Sequence, residues 1–216
     1  MIKHFKLNEK GRDWVVGDVH GCFSLLEAQL CEIGFDCRVD RLFSVGDLVD
    51  RGTESEQSIR WLRKPWFFAV RGNHEQMAID YFIEHQNTNN YLANGGAWFI
   101  SLTSEVQALY AEAFLNLPIA LEVDTNDGLV GIIHAECPFK KWADMKEGLA
   151  SEHKDGFISR CLWSRDKIGQ QDRSSVEGIT SIIVGHTPVL LPLRLGNVQY
   201  IDTGAVFGNR LTIMEL

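Results

Sequence analysis

Trp14-Val15-Val16-Gly17-Asp18-Val19-His20-Gly21 reads as a short apolar strand ending in a turn that carries a carboxylate and an imidazole. The pattern recurs twice downstream. Leu42-Phe43-Ser44-Val45 runs into Gly46-Asp47-Leu48-Val49-Asp50-Arg51-Gly52, and Trp66-Phe67-Phe68-Ala69-Val70 runs into Arg71-Gly72-Asn73-His74-Glu75. Between these runs, Phe23 to Ile33 places Leu25, Leu26, Leu30 and Ile33 at helical spacing before Gly34. Glu54 to Leu62 is again helical until Pro65 breaks it. The succession predicts β-α-β-α-β with polar groups at the carboxyl end of each strand, where open α/β sheets bind their ligands.

Outward from this core, residues 75–117 read as mostly helical, interrupted near Asn87 to Gly96 by an Asn/Gly-rich loop. The second half turns to β structure. Ile119 to Val123 and Leu129 to Ile133 flank Asp127-Gly128, a hairpin signal, and Ile182 to Val184, Val198 to Ile201 and Leu211 to Met214 are further strands. Pro138 to Ser175 is polar, expected as loop and short helix covering the site. The whole predicts a mixed α/β (α+β) chain with a β-rich core, helices outside and polar ligands at one edge.

The 216 residues, 45% hydrophobic and 23% charged, fit a single domain over 1–216. No apolar stretch approaches the roughly 20 residues of a membrane helix. Met1 to Lys6 lacks the features of a signal peptide, so no membrane partner and a cytoplasmic location are expected. A formal charge of −8 without a basic stripe argues against a nucleic-acid binder. Five cysteines with no C-x-x-C pair exclude a disulfide framework or cysteine-zinc site as the basis of the fold, and Cys22 reads as a small packing residue. No heptad or repeat is present, and a monomer is expected.

The chemistry lies in six motifs: the three above with His134-Ala135-Glu136, Gly185-His186-Thr187-Pro188 and Asp202-Thr203-Gly204. Taken singly, each has a plainer reading. Asp47 and Asp50 could be helix caps, Asn73 a turn residue and His186 a loop histidine. Together they supply complementary oxygen and imidazole ligands at strand ends, suited to Mn, Fe, Zn or Ni. Asp18, His20 and Asp47 are the candidates for one metal, and Asp47, Asn73, His134 and His186 for a second. A bridging carboxylate is needed to hold two cations about 3.5–4 Å apart, and Asp47 is the candidate. Two such cations generate hydroxide at neutral pH for direct attack on a phosphate ester, so no protein nucleophile is needed. Consistently, G-x-S-x-G, C-x-x-x-x-x-R and P-loop motifs are absent. His74 is placed to protonate the leaving oxygen, with Asp50 holding its imidazole. Arg51, Arg71 and Arg165 are candidate phosphate donors. Asp202 is expected to brace the site, and Trp61, Trp66, Trp98 and Phe99 to pack the core. His4, His85 and His153 lack such context and read as surface residues.

From Trp14 to Leu216 the chain resembles the phosphoprotein phosphatase family of metallophosphoesterases, closest to its bacterial and lambda-phage serine/threonine phosphatase branch. The likeness rests on the motifs and on Arg71-Gly72-Asn73-His74-Glu75-Gln76-Met77, Asn94-Gly95-Gly96 and Tyr200 to Phe207. It implies a β-sandwich flanked by helices, with a dinuclear site at its edge. It also implies the same six ligands, His74 as general acid beside Asp50, and Arg51 and Arg165 at the phosphate. Mn²⁺ is the cofactor it suggests, and a phosphorylated protein or peptide, on Ser/Thr or also Tyr, the substrate. A diadenosine tetraphosphate hydrolase, a noncatalytic scaffold and a nuclease are the alternatives. At 216 residues the chain is expected to lack the eukaryotic members' longer inserts and C-terminal groove, so substrate docking of their kind is not carried over.

Overall fold

In the computed structural model, which describes residues 1–84 and 88–216, the chain opens with a strand that no sequence signal announces, β1 (Ile2–Phe5). The expected alternation follows: β2 (Asp13–Val16), α1 (Phe23–Glu32), β3 (Arg41–Ser44), α2 (Ser58–Leu62) behind a 3₁₀ turn at Ser55–Gln57, and β4 (Phe67–Ala69). Helices α3 (Asn73–Glu84), α4 (Thr88–Ala93), α5 (Ala97–Ile100) and α6 (Ser104–Leu115) come next. The Asn/Gly-rich loop expected here is largely helix. Burial of Tyr91 against the core outweighs the poor helix propensity of its asparagines. Asn87 and His85 lie outside the described residues.

Strands β5 (Ala120–Thr125) and β6 (Gly128–Ile133) form the expected hairpin, with Thr125 opposite Gly128. The turn is therefore Asn126-Asp127, one residue ahead of the expected pair, and Gly128 opens β6 at φ 121°, a conformation suited to glycine. The chain continues through α7 (Trp142–Ala150), α8 (Lys154–Trp163), α9 (Asp166–Gly169), β7 (Ser181–Val184), β8 (Leu193–Leu195), β9 (Val198–Tyr200), a 3₁₀ turn at Ala205–Phe207 and β10 (Ile213–Glu215).

The strands make two sheets. One has the order β10-β2-β3-β4, parallel from β2 to β4 with β10 antiparallel, and the other β1-β5-β6-β7-β9-β8. Period-two alternation sorts their side chains into layers. Val15 and Phe43 of the first sheet meet Leu121, Val123, Val130, Ile132 and Ile183 of the second in a buried inner core. On the outer face of the smaller sheet, Trp14, Val16 and Leu42 pack under Leu26, Met77 and Phe114. On the outer face of the larger, Ile133, Ile182 and Val184 pack under Trp142, Met145, Leu149 and Leu162. The result is the expected sandwich of sheets with helices outside.

Pro138 to Ser175 is thus mostly a structural layer. Trp142, Met145 and Leu149 lie at helical spacing and are buried, so α7 and α8 back the larger sheet. Only the segment from Trp163 to Arg165 reaches the polar edge. No helix among the described residues is long and apolar enough to cross a membrane.

Candidate metal centre

All six motifs leave the carboxyl ends of strands: β2, β3 and β4 in one sheet, β6, β7 and β9 in the other. Their backbones are locally strained. His20 (φ 43°), Asp47 (50°), Asp50 (71°), Arg51 (67°) and His186 (66°) adopt left-handed conformations, and among the described non-glycine residues only Gln171 does so elsewhere. Each such residue costs roughly 1–2 kcal/mol, so the surroundings must impose it. The loops are laced together to that end. Val19 and His20 N–H donate to the Asp47 carbonyl at 3.1 and 2.8 Å, and Gly21 N–H to that of Leu48 at 2.8 Å. The buried Glu75 carboxylate accepts N–H groups from Gly72 (2.8 Å), Asp47 (3.0 Å) and Leu48 (2.8 Å), tying the β3 loop to the β4 loop. Gly185 is required by close approach, because a Cβ there would collide with the Asp18 carboxylate.

Each histidine ligand candidate has one ring nitrogen on a backbone carbonyl, which can only accept. His20 Nδ1–H donates to Val49 (2.8 Å), His134 Nδ1–H to Val45 (2.8 Å) and His186 Nε2–H to Trp163 (3.2 Å). The opposite nitrogens therefore present lone pairs inward, as metal ligands do. His134 Nε2 and His186 Nδ1 both lie 2.8 Å from Asn73 Oδ1. Asp47 is central, with Oδ1 3.4 Å from His134 Nε2 and Oδ2 3.5 Å from His20 Nε2. Among the described residues two triplets have ligand atoms within 4.8 Å of one another, His20-Asp47-His74 and Asp47-His134-His186, with Asp47 common to both. Asp18 stands outside the triplets, its carboxylate held by the His186 N–H at 3.0 and 3.2 Å.

Electrostatics fit cations. Burial pushes the imidazoliums of His20 and His186 down to about 3, and that of His134 down as well, keeping all three neutral. Burial, then the charges of Asp202 and Asp47, push the Asp18 carboxyl well up. Burial likewise raises Asp202 to about 6 and Glu75 to about 7. Neutral imidazoles beside crowded, buried carboxylates form a donor set that divalent cations satisfy.

Beside them His74 donates from Nδ1 to Asp50 Oδ2 at 2.7 Å, and its Nε2 lies 3.9 Å from Asp47 Oδ2. Burial alone would push His74 down, but the charge of Asp47 and the Asp50 hydrogen bond outweigh it and raise the group. Asp50 Oδ1 accepts from Trp98 Nε1 at 2.6 Å and Tyr91 Oη at 3.3 Å, so both Asp50 oxygens are engaged.

Arg51 and Arg165 reach the centre. Arg51 Nη1 is 2.6 Å from His20 Nε2, its guanidinium lying over the Phe207 ring, and Arg165 Nη2 is 3.5 Å from the His186 carbonyl. Arg71 does not. It turns away to donate to the carbonyls of Phe114 (3.2 Å) and Leu115 (2.6 Å) and to Gln76 (3.0 Å), so the expectation that it binds phosphate is corrected: it caps the end of α6. Asp202 accepts Gly204 N–H at 2.9 Å. Cys22 is half-buried, its thiol pushed up by burial and Glu54. His4 pairs at the surface with Asp124, and His153 is exposed. Sequence reasoning gave no role to Glu75 or Glu136, though both stand inside quoted motifs, and counted Trp98 as core alone.

Comparison with known proteins agrees with this geometry. Residues 12–206 match the calcineurin-like phosphoesterase family. The chain is 42% identical over 207 residues to serine/threonine-protein phosphatase 1 of Salmonella typhimurium, covering 94% of this chain and 91% of that one. It is 27% identical over 228 residues to the asymmetrical bis(5'-nucleosyl)-tetraphosphatase PrpE of Anoxybacillus flavithermus, covering 93% and 89%. A cold-active protein-tyrosine phosphatase from a Shewanella species shares the fold, with a TM-score of 0.66 at 16% identity over 100% of this chain and 78% of that one. On the match over most of its length, this chain belongs to the calcineurin-like phosphoesterase family, the metallophosphoesterases.

Proposed function

We propose that the protein is a divalent-metal-dependent phosphomonoester hydrolase that removes phosphate from serine and threonine, and also tyrosine, in proteins. The observation that carries the chemistry is Asp47, shared by two buried groups of potential ligands, Asp47-His134-His186 and His20-Asp47-His74, the second including the histidine that pairs with Asp50. The substrate class rests on the 42% identity to a bacterial serine/threonine-protein phosphatase, against 27% to a tetraphosphatase. The family implies divalent metal ions. Asp18, His20 and Asp47 would hold one, and Asp47, Asn73, His134 and His186 the other, with Mn²⁺ preferred and Fe, Zn or Ni accepted. When bound, such cations supply an activated water at neutral pH and neutralise phosphoryl charge.

The chain's own groups complete the reaction. The Arg51 and Arg165 guanidiniums orient the phosphate through charge-assisted hydrogen bonds. His74 gives its Nε2 proton to the leaving oxygen, and Asp50, hydrogen-bonded to Nδ1, fixes the ring and helps raise its pKa. Trp98 and Tyr91 hold Asp50 in turn. The unit is one domain over residues 1–216, acting as a monomer. Turnover of a phosphoserine peptide against diadenosine tetraphosphate, with Mn²⁺, tests the assignment. Preference for the peptide is expected; preference for the dinucleotide would make the protein a phosphoanhydride hydrolase.

A further inference from the structure

Arg165 is half of the proposed phosphate clamp, yet it is exposed, and its side-chain hydrogen bond among the described residues is a long one, 3.5 Å to the His186 carbonyl. Something else must hold it. The turn carrying it is wrapped around a single oxygen. Glu136 Oε2 accepts from Ser164 Oγ at 2.7 Å and from Lys167 N–H at 3.2 Å, so its partners lie on both sides of Arg165 in sequence. Ser164 Oγ also accepts the Asp166 N–H at 3.2 Å, closing the first turn of α9. Glu136 itself is buried and sits two residues beyond His134, at the end of β6. One strand end thus presents an inward imidazole and, next to it, a carboxylate that organises the neighbouring turn.

The end of α8 is fixed independently. Cys161 and Leu162 are buried in the outer core, and the Cys161 carbonyl accepts Ala135 N–H at 2.7 Å. What depends on Glu136 is therefore the turn beyond Trp163. We propose that Glu136 is a positioning residue for substrate binding: it aims Arg165 at the phosphate by templating the turn from Ser164 to Lys167. This rests on the phosphoesterase reading above.

Glu136 also pairs with Arg160 at 3.5 Å, and a purely structural role would run through that contact. The experiment separates the two. Binding of inorganic phosphate to the Mn²⁺-loaded protein is measured by calorimetry, beside KM and kcat for p-nitrophenyl phosphate. Glu136→Ala should weaken phosphate binding and raise KM about tenfold, the loss of one charge-assisted contact, with kcat less affected and Mn²⁺ stoichiometry unchanged. Arg165→Ala should do the same, and the double variant should be no worse than Arg165→Ala alone, because both remove one interaction. Arg160→Ala should leave phosphate affinity unchanged. If Glu136→Ala does not fold, Ser164→Ala carries the same expectation without burying or removing a charge. Wild-type phosphate affinity in these variants, or an effect that adds to that of Arg165→Ala, would overturn the proposal. A wild-type protein that neither turns over the ester nor binds phosphate would remove the phosphoesterase reading, and this proposal with it.

Discussion

His74 and Asp50 are joined by a 2.7 Å hydrogen bond inside the protein, and the consequence is a pH dependence with a definite sign. A general acid must be protonated, so the rate falls as pH rises through its pKa. Asp50 helps raise that pKa; Asp50→Asn should therefore move the alkaline limb of the kcat profile to lower pH. A profile unmoved by the substitution would show that the pair does not govern proton donation. His74→Asn should lower kcat by about 10²- to 10⁴-fold while Mn²⁺ binding, read by calorimetry, persists. These residues were legible in the sequence because side-chain type and motif spacing announce them. Trp98 was not. Its Nε1 contact to Asp50 at 2.6 Å is set by tertiary packing of α5 against the β3 loop, which spacing cannot show.

At the scale of elements, Arg71 separates motif membership from function. It stands in the same motif as Asn73 and His74, but the backbone turns between them, and the guanidinium goes to the C-terminal carbonyls of α6. Arg71→Met should lower stability by about 1–3 kcal/mol, the scale of hydrogen bonds to a charged donor, and leave KM near wild type. Arg51→Ala should raise KM with little loss of stability. Thermal unfolding and steady-state kinetics of the two variants check this, and the reverse pattern would return Arg71 to the substrate. The strands that feed the motifs could be read from their apolar runs, as β2, β3, β4, β6 and β7 show. β1 and β8 could not: Ile2–Phe5 and Leu193–Leu195 are short, each has polar or basic residues among its members, and their pairing with β5 and β9 is decided by partners far along the chain. Within the loop and short helix expected over Pro138 to Ser175, the core-facing role of α7 was not legible because charged residues dilute the spacing of Trp142, Met145 and Leu149.

Across the whole molecule, two sheets meet so that six strand ends converge, and the cost of that convergence is carboxylate crowding. In metal-stripped protein Glu75 and Asp202 are raised to about 7 and about 6. These two acids keep their protons longer in the folded state and alone would make stability fall as pH rises toward about 7, whereas His20, His134 and His186, lowered by burial, make it rise up to their ordinary value of 6.5, so the two groups oppose each other. Saturating Mn²⁺, which binds the folded donor set, should raise the melting temperature of stripped protein. A melting temperature that Mn²⁺ leaves unmoved would mean that the crowded donor set does not take up the metal.

The most direct test of a dinuclear centre built on Asp47 is titration of metal-stripped protein with Mn²⁺, following bound equivalents and p-nitrophenyl phosphate hydrolysis together. Two equivalents per chain, with activity appearing as they fill and both affinity and rate collapsing in Asp47→Asn, is the predicted result. Hydrolysis that survives stripping, full activity with one equivalent, or an Asp47→Asn variant that works like wild type would contradict it.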